Sequence, residues 1–325
     1  MLVSACGGTD DSVSGSSDME VQASFYPLEW VSQRVVGDRA EVTSLTPPGA
    51  EAHDLELSPR DVAEMTEVDL VVYLSGFQPA VDDAVAIAED TVAVDAAELT
   101  SLDLTATDDG HDHGSEDEEG DEHGDEEGDE HSDEEGDEHG DEEGDEHSDE
   151  TGAADPHFWL DPLRLAEVGD ALAEQMTEVD PDGAQEYEEN AADLRADLEA
   201  LDEEMTTGLS DCESTTLVTS HQAFGYLADR YGFTQLGISG LSPEDEPSPA
   251  ELAEVTDFVS DNDVETIYFE TLVSPDVAHT VADETGALTA TLDPLEGLTD
   301  ESAGEDYLEV MRANLATLWE GQSCT

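Results

Sequence analysis

Lysine is absent from these 325 residues, and the only basic side chains are seven arginines: Arg34, Arg39, Arg60, Arg164, Arg195, Arg230 and Arg312. Against them stand 88 acids, for a formal net charge of −81. A surface so poor in cations argues against nucleic acid as a partner, because phosphate contacts need basic groups. Self-repulsion on this scale opposes compact folding in dilute buffer, whereas at about 1 M salt the Debye length falls to about 3 Å and the repulsion is screened. The composition points to a halophile whose protein surface meets brine. Also lacking is any run of about 20 apolar residues, so no segment reads as a membrane-spanning helix. Cysteine occurs three times and aromatics make up only 5% of the chain. The chain is nevertheless not a disordered acidic polymer throughout, because apolar runs such as "DLVVYLSG" and "VETIYFE" recur. Its length suits roughly two domains of about 150 residues.

The acid is concentrated in one place without being confined to it. Between Asp108 and Glu150 lie 26 acids, which leaves 62 elsewhere. This segment contains His111 and His113, then His123, His131, His139 and His147 at intervals of eight. With almost nothing apolar to bury, it cannot fold alone. Spaced imidazoles on a flexible acidic chain suit weak, low-affinity metal capture, which would raise the metal concentration nearby. The competing reading is a solvated spacer tolerated in salt.

The cysteines divide into one and two. Cys6, in "LVSACGG", sits in a short run of aliphatic and small residues followed by Gly-Gly. This resembles a lipoprotein processing site, with lipid on Cys6. Only five residues precede it, so the charged and apolar parts of a signal are expected upstream of the printed start. The polar stretch "GGTDDSVSGSSD" would then be a flexible tether. Cys212 and Cys324 remain, and a leftover pair in an exported protein is a candidate disulfide.

From Glu20 onward, short apolar strands alternate with amphipathic helices, which implies parallel sheets. The expected strands are "VQASFY", "AEVTSL", "DLVVYLSG" and "TVAVD", with helices between them at Pro27–Val36, "SPRDVAEMTEV" and "PAVDDAVAIAED". Ser58 is the expected N-cap of the second helix. Order resumes at "DPHFWLDP", and two helical stretches follow, split by "DPDG" at residues 180–183. In the second, Tyr187, Ala191, Leu194, Leu198, Leu201 and Met205 form one apolar stripe on a long helix. Alternation then restarts with "TTLVTS", the helix "HQAFGYLADRYG" stopped by Gly232, "FTQLGIS", a helix capped by Ser248, "VETIYFE", a capped helix "SPDVAHTVADETG", "ALTATLD" and a last helix near residues 307–319. The expected fold is α/β, with two Rossmann-like lobes joined by a long rigid helix. Residues 1–19 form the tether and 20–180 the first lobe, with the acidic loop at 107–154. Residues 181–209 form the linking helix and 210–325 the second lobe. In such folds ligands collect at the carboxyl ends of the strands, in the crevice between lobes.

Four histidines lie outside the acidic segment. His53 lies in "PPGAEAHD" after a strand, His157 in "DPHFWLDP", and His221 directly after "TTLVTS". Asp293 also follows a strand, in "TLDPLEG". Three imidazoles and one carboxylate form a tetrahedral donor set suited to Zn²⁺. His279, in mid-helix, reads as a surface residue.

These stretches carry a specific resemblance. "SFYPLEWVSQRVVGDRAEVTSLTPPGAEAHDLELSPRD", "PHFWLDP", "TSHQAFGYLADRYG" and "TLDPLEG" are similar, in order, to the zinc and manganese solute-binding proteins of ABC importers, the ZnuA/TroA-like family. The similarity runs from about residue 20 to 321. It implies two lobes joined by a rigid helix, with metal held between them by His53, His157, His221 and Asp293. It further implies an extracellular, lipid-anchored, non-enzymatic monomer that delivers zinc to an ABC permease and its ATPase. With the acidic composition, it implies a halophilic archaeon as the source. Having His at position 221 and a His-rich acidic loop fits the zinc branch. Ala52, immediately before His53, departs from zinc members that have Glu there, and Glu51 lies one residue further back. Mn²⁺ prefers more oxygen donors, so three histidines favour zinc. The remaining readings are a manganese or iron homologue, a zinc-dependent hydrolase with Glu270 as general base, and an adhesin or passive metal store.

Overall fold

The computed structural model of the protein describes residues 19–88, 90–105, 154–244 and 247–325. Cys6 and His111, His113, His123, His131, His139 and His147 lie outside these residues.

Two four-stranded parallel sheets form the frame. The first contains β1 (Glu20–Ala23), β2 (Glu41–Ser44), β3 (Leu70–Tyr73) and β4 (Val92–Asp95), in the order β2-β1-β3-β4. The second contains β5 (Thr216–Thr219), β6 (Thr234–Gly237), β7 (Thr266–Phe269) and β8 (Leu288–Thr291), in the order β6-β5-β7-β8. In both sheets the strand order turns back beside the first strand, which opens a crevice at the carboxyl ends.

Helices α1 (Tyr26–Val36), α2 (Pro59–Met65) and α3 (Pro79–Ile87) connect the first sheet. Pro occupies the first turn of all three, where its missing N–H costs nothing. Ser58 caps α2 as expected, in a reciprocal capping box with Asp61. Helices α6 (Gly225–Tyr231), α7 (Pro249–Asp261) and α8 (Asp276–Thr285) serve the second sheet, and α9 (Tyr307–Gly321) closes the chain. Gly232 ends α6 at φ 80°, a left-handed position that favours glycine. The helix expected from His221 starts only at Gly225. The carbonyl of His221 is taken by Thr219 Oγ1 at 2.6 Å and Gln235 Nε2 at 3.0 Å, so it cannot open a helical ladder.

Between the sheets run α4 (Pro162–Val179) and α5 (Ala184–Gly208), the latter 25 residues long. The stripe Tyr187, Ala191, Leu194, Leu198, Leu201 and Met205 is buried, as its spacing requires. It does not leave α5 as a bare rod, because α5 packs against α1, α4 and α9. The main core runs without a break from Val21 and Phe25 through Trp159 and Leu198 to Leu292 and Leu318, so one apolar body spans both sheets. Cys212 and Cys324 form a disulfide between residues 112 apart in sequence, one just before β5 and the other just after α9.

Candidate metal centre

Three expected ligands converge, and the fourth comes from a different residue. His53 is on the loop after β2, His157 precedes a short 3₁₀ turn at Phe158–Leu160, and His221 follows β5. Together with Glu296, their ligating atoms lie within 4.8 Å of one another. His157, His221 and Glu296 are 0%, 0% and 1% exposed, and His53 is partly buried.

Each second nitrogen or neighbouring amide fixes a ligand in place. His157 Nδ1 lies 2.7 Å from Asp155 Oδ1, which also accepts the His157 backbone N–H at 2.9 Å. His221 Nδ1 lies 2.6 Å from Glu270 Oε1. Both carboxylates are buried, and each takes up Nδ1 of its ring so that Nε2 is the nitrogen turned to the centre, free to offer a lone pair once deprotonated. Glu270 therefore orients an imidazole and is not placed as a general base. Glu51, the carboxylate nearest the position taken by Ala52, accepts the backbone N–H groups of His53 and Asp54, both at 2.9 Å. It shapes the loop and stands apart from the four converging groups.

Asp293 is close by but already engaged. Its Oδ1 accepts the Leu295 N–H at 2.8 Å and its Oδ2 accepts the Ser302 hydroxyl at 2.9 Å. Asn314 brackets it through both backbone groups, at 3.0 Å and 2.7 Å. These contacts brace the turn "DPLEG", in which Leu295 adopts φ 61°, a strained value for a branched residue. Trp159 Nε1 donates to the Pro294 carbonyl at 2.8 Å, tying the turn to the segment that carries His157. The result delivers Glu296, three residues on, into the centre. This corrects the expectation for Asp293, which supports the turn while Glu296 faces the histidines. The second acid of "DPLEG" was the available signal, but choosing between the two required the turn geometry.

Nε2 of His53, His157 and His221 and Oε1 of Glu296 are all buried, and none has a hydrogen-bond partner. The three nitrogens stand 3.6, 3.4 and 3.3 Å from the carboxylate oxygen. Donor atoms about 2.0–2.1 Å from a tetrahedral zinc ion are about 3.3–3.4 Å from one another. The N···O spacing thus suits a shared cation, which would satisfy all four buried atoms at once. Electrostatics point the same way. Burial presses the His221 imidazole toward neutrality, but Glu270 and Glu296 overcome it and lift its pKa to about 10. Burial likewise opposes protonation of His157, and Asp155 and Glu296 reverse the sign. For Glu296, burial opposes ionisation, yet the surrounding imidazoles hold its carboxyl well below the usual range. The centre attracts positive charge, as protons or as a metal ion. His279 is exposed, with its ring against Phe269 at 5.3 Å, and takes no part.

A family model described as zinc-uptake complex component A, periplasmic, matches residues 21–321. The chain is 36% identical over 329 residues to the high-affinity zinc uptake system protein ZnuA of Bacillus subtilis, covering 98% of this chain and 93% of that one. It is 35% identical to the zinc-binding lipoprotein AdcA of Streptococcus pneumoniae, covering 92% of this chain but only 55% of AdcA. Among solved structures, the laminin-binding protein Lmb of Streptococcus agalactiae, described as an adhesin with metal-transporting activity, aligns with a TM-score of 0.73 at 32% identity, covering 94% and 99% of the two chains. Zn(II)-bound AdcA from Streptococcus pneumoniae aligns with a TM-score of 0.70 at 31% identity, over 94% of this chain and 57% of that one.

Proposed function

Since the chain belongs to the zinc-uptake complex component A family, we propose that it captures Zn²⁺ outside the cytoplasm with His53, His157, His221 and Glu296 and hands it to an ABC permease driven by its ATPase. The observation that supports the ligand set is the convergence of four buried, unpartnered donor atoms within 4.8 Å of one another, with each imidazole nitrogen 3.3–3.6 Å from the Glu296 oxygen. Zinc is filled-shell and accepts this closed N₃O set, whereas Mn²⁺ prefers more oxygen. The protein is a binding protein and not an enzyme. In this reading four side chains would fill the coordination shell, and Glu270 is committed to His221 Nδ1, which does not favour a hydrolytic water there.

Capture needs a site that closes without chemistry. The buried carboxylates Asp155 and Glu270 hold two rings ready, and the loop carrying His53, the most accessible ligand, completes the shell. Residues 20–180 and 210–325 serve as the two lobes, with 181–209 as the connecting helix and 1–19 as a tether. Lipid on Cys6 would hold this monomer at the membrane. That proposal rests on the "LVSACGG" motif, and the relative AdcA is described as a lipoprotein. The histidines at 111, 113, 123, 131, 139 and 147 would add weak zinc sites on the same chain. The lack of lysine and the charge of −81 support a halophilic source. The named relatives are bacterial and give no support to an archaeal one. Metal titration of the purified protein in high salt tests the main reading: one tightly held zinc that Mn²⁺ at equal concentration fails to displace supports it, and preferential retention of Mn²⁺ overturns it.

A further inference from the structure

His53 is held differently from its fellow ligands. His157 and His221 each have a buried carboxylate on Nδ1. Among the described residues no such group is bonded to Nδ1 of His53. Its position must come from its loop, and one side chain from another loop grips that loop from beneath. Gln78, 1% exposed, follows β3 and precedes α3. Its Nε2 donates to the carbonyl of Ala52 at 2.9 Å, on the residue immediately before His53. The same nitrogen donates to Thr46 Oγ1 at 2.9 Å, at the start of the same loop. Thr46 Oγ1 in turn donates to the Ser24 carbonyl at 2.7 Å, just past the end of β1. A hydrogen-bond chain therefore runs from the fixed sheet through Thr46 and Gln78 to the residue before the ligand. Next to it, the Phe77 ring meets the His53 ring edge-on at 4.5 Å.

Two details show that this contact is specific. Gln78 stands at the N-cap of α3, yet its side chain makes no bond to that helix and turns to the loop instead. Its orientation is also fixed by chemistry. The Ala52 carbonyl can only accept, and Thr46 has given its proton to Ser24, so only the amide nitrogen can satisfy both. Gln78 Oε1 is left buried without a partner, a cost retained for the bonds on the other side.

We propose that Gln78 is the positioning residue for His53: it holds the Ala52–His53 backbone at the height where Nε2 reaches the shared cation. This rests on the reading of His53 as a ligand. Removing an outer partner of a metal ligand typically weakens metal affinity by about 10–100-fold. Gln78→Leu and Gln78→Met keep the bulk and remove both donors. Zinc affinity is to be measured by competition with a chelator for wild type, each Gln78 variant, His53→Ala, and the double variants. Expected is a drop of about 10–100-fold for either Gln78 variant, and no more than about a threefold further change when it is added to His53→Ala, because Gln78 acts through His53. A Gln78 variant within threefold of wild type overturns the proposal. So does a double variant that loses the same factor again, since that loss would be general damage to the lobe. If His53→Ala itself leaves affinity unchanged, the ligand reading fails, and Gln78 as its support fails with it. Gln78→Met guards against misfolding of Gln78→Leu, with the thermal midpoint of each zinc-free variant read alongside.

Discussion

Glu296 and Asp293 lie three residues apart and perform different tasks. Glu296 offers an unpartnered oxygen to three imidazoles, while Asp293 spends both of its oxygens on a turn. Glu296→Ala should therefore reduce zinc affinity at least tenfold, because a ligand is lost. Asp293→Ala should lower the melting temperature of the zinc-free protein, because the turn loses its brace, and should weaken zinc less than Glu296→Ala does. An affinity loss for Asp293→Ala equal to that of Glu296→Ala would contradict the division. His53→Ala, His157→Ala and His221→Ala should each cost at least tenfold in affinity, and His279→Ala should cost nothing measurable by the same titration. Protons compete for these nitrogens. His221 has its pKa raised from 6.5 to about 10 in the zinc-free fold, so it stabilises that fold fully below about pH 6.5 and loses the contribution as pH rises toward 10. Zinc needs the deprotonated ring, so its binding strengthens over the same window. The rise in melting temperature on adding zinc should be larger at pH 8.5 than at pH 6. A pH-independent rise would show that no proton is displaced.

At the scale of elements, the arginines gather around one helix. Arg34 on α1 pairs with Asp197 of α5 at 2.7 Å, and Arg39 pairs with Asp180, just after α4, and with Glu186 in the first turn of α5. Arg195 of α5 reaches Asp170 on α4. From the second lobe, Arg230 on α6 pairs with Asp202 at 2.5 Å and Arg312 on α9 with Glu204 at 2.8 Å. Five of the seven cations thus fasten α5 to its neighbours. The apolar stripe of α5 was readable in the sequence by its period, but these cross-links were not, since they join residues 25 to 163 positions apart. Arg230→Ala should lower the melting temperature by several degrees, because Asp202 and Asp161 both lose a partly buried partner. Arg60→Ala should leave it unchanged, since the Arg60–Glu64 pair is exposed along one helix. The disulfide closes a loop that contains the whole second sheet. Closing a loop of this length contributes up to about 4–5 kcal/mol in the chain-entropy model. Reduction should therefore lower the melting temperature while one zinc stays bound at room temperature. Two free thiols titrated in the native, unreduced protein would contradict the bridge.

For the molecule as a whole, two opposing salt effects can be ranked. Salt weakens the ion pairs of the seven arginines, but it also screens 88 acids that have almost no counter-charge. The second effect dominates, so the melting temperature should rise from about 0.1 M to about 2 M NaCl. The two-lobed α/β frame was legible because βα alternation writes itself as a change of period, and three of the proposed ligands were legible because His53 and His221 each follow a strand and His157 lies in the recognisable stretch "DPHFWLDP". Glu296 was not, because an Asp-Pro turn hides which of its acids points inward, and Gln78 was not, because its partners lie 26 and 32 residues away. What joins these parts is a single claim, that one zinc ion sits among three imidazoles and one carboxylate. X-ray absorption at the zinc edge, on protein loaded with one equivalent of zinc, tests it directly. The expected spectrum shows four nitrogen or oxygen neighbours at about 2.0–2.1 Å with the outer scattering of three imidazoles. Six oxygen neighbours, or fewer than three imidazoles, would contradict it.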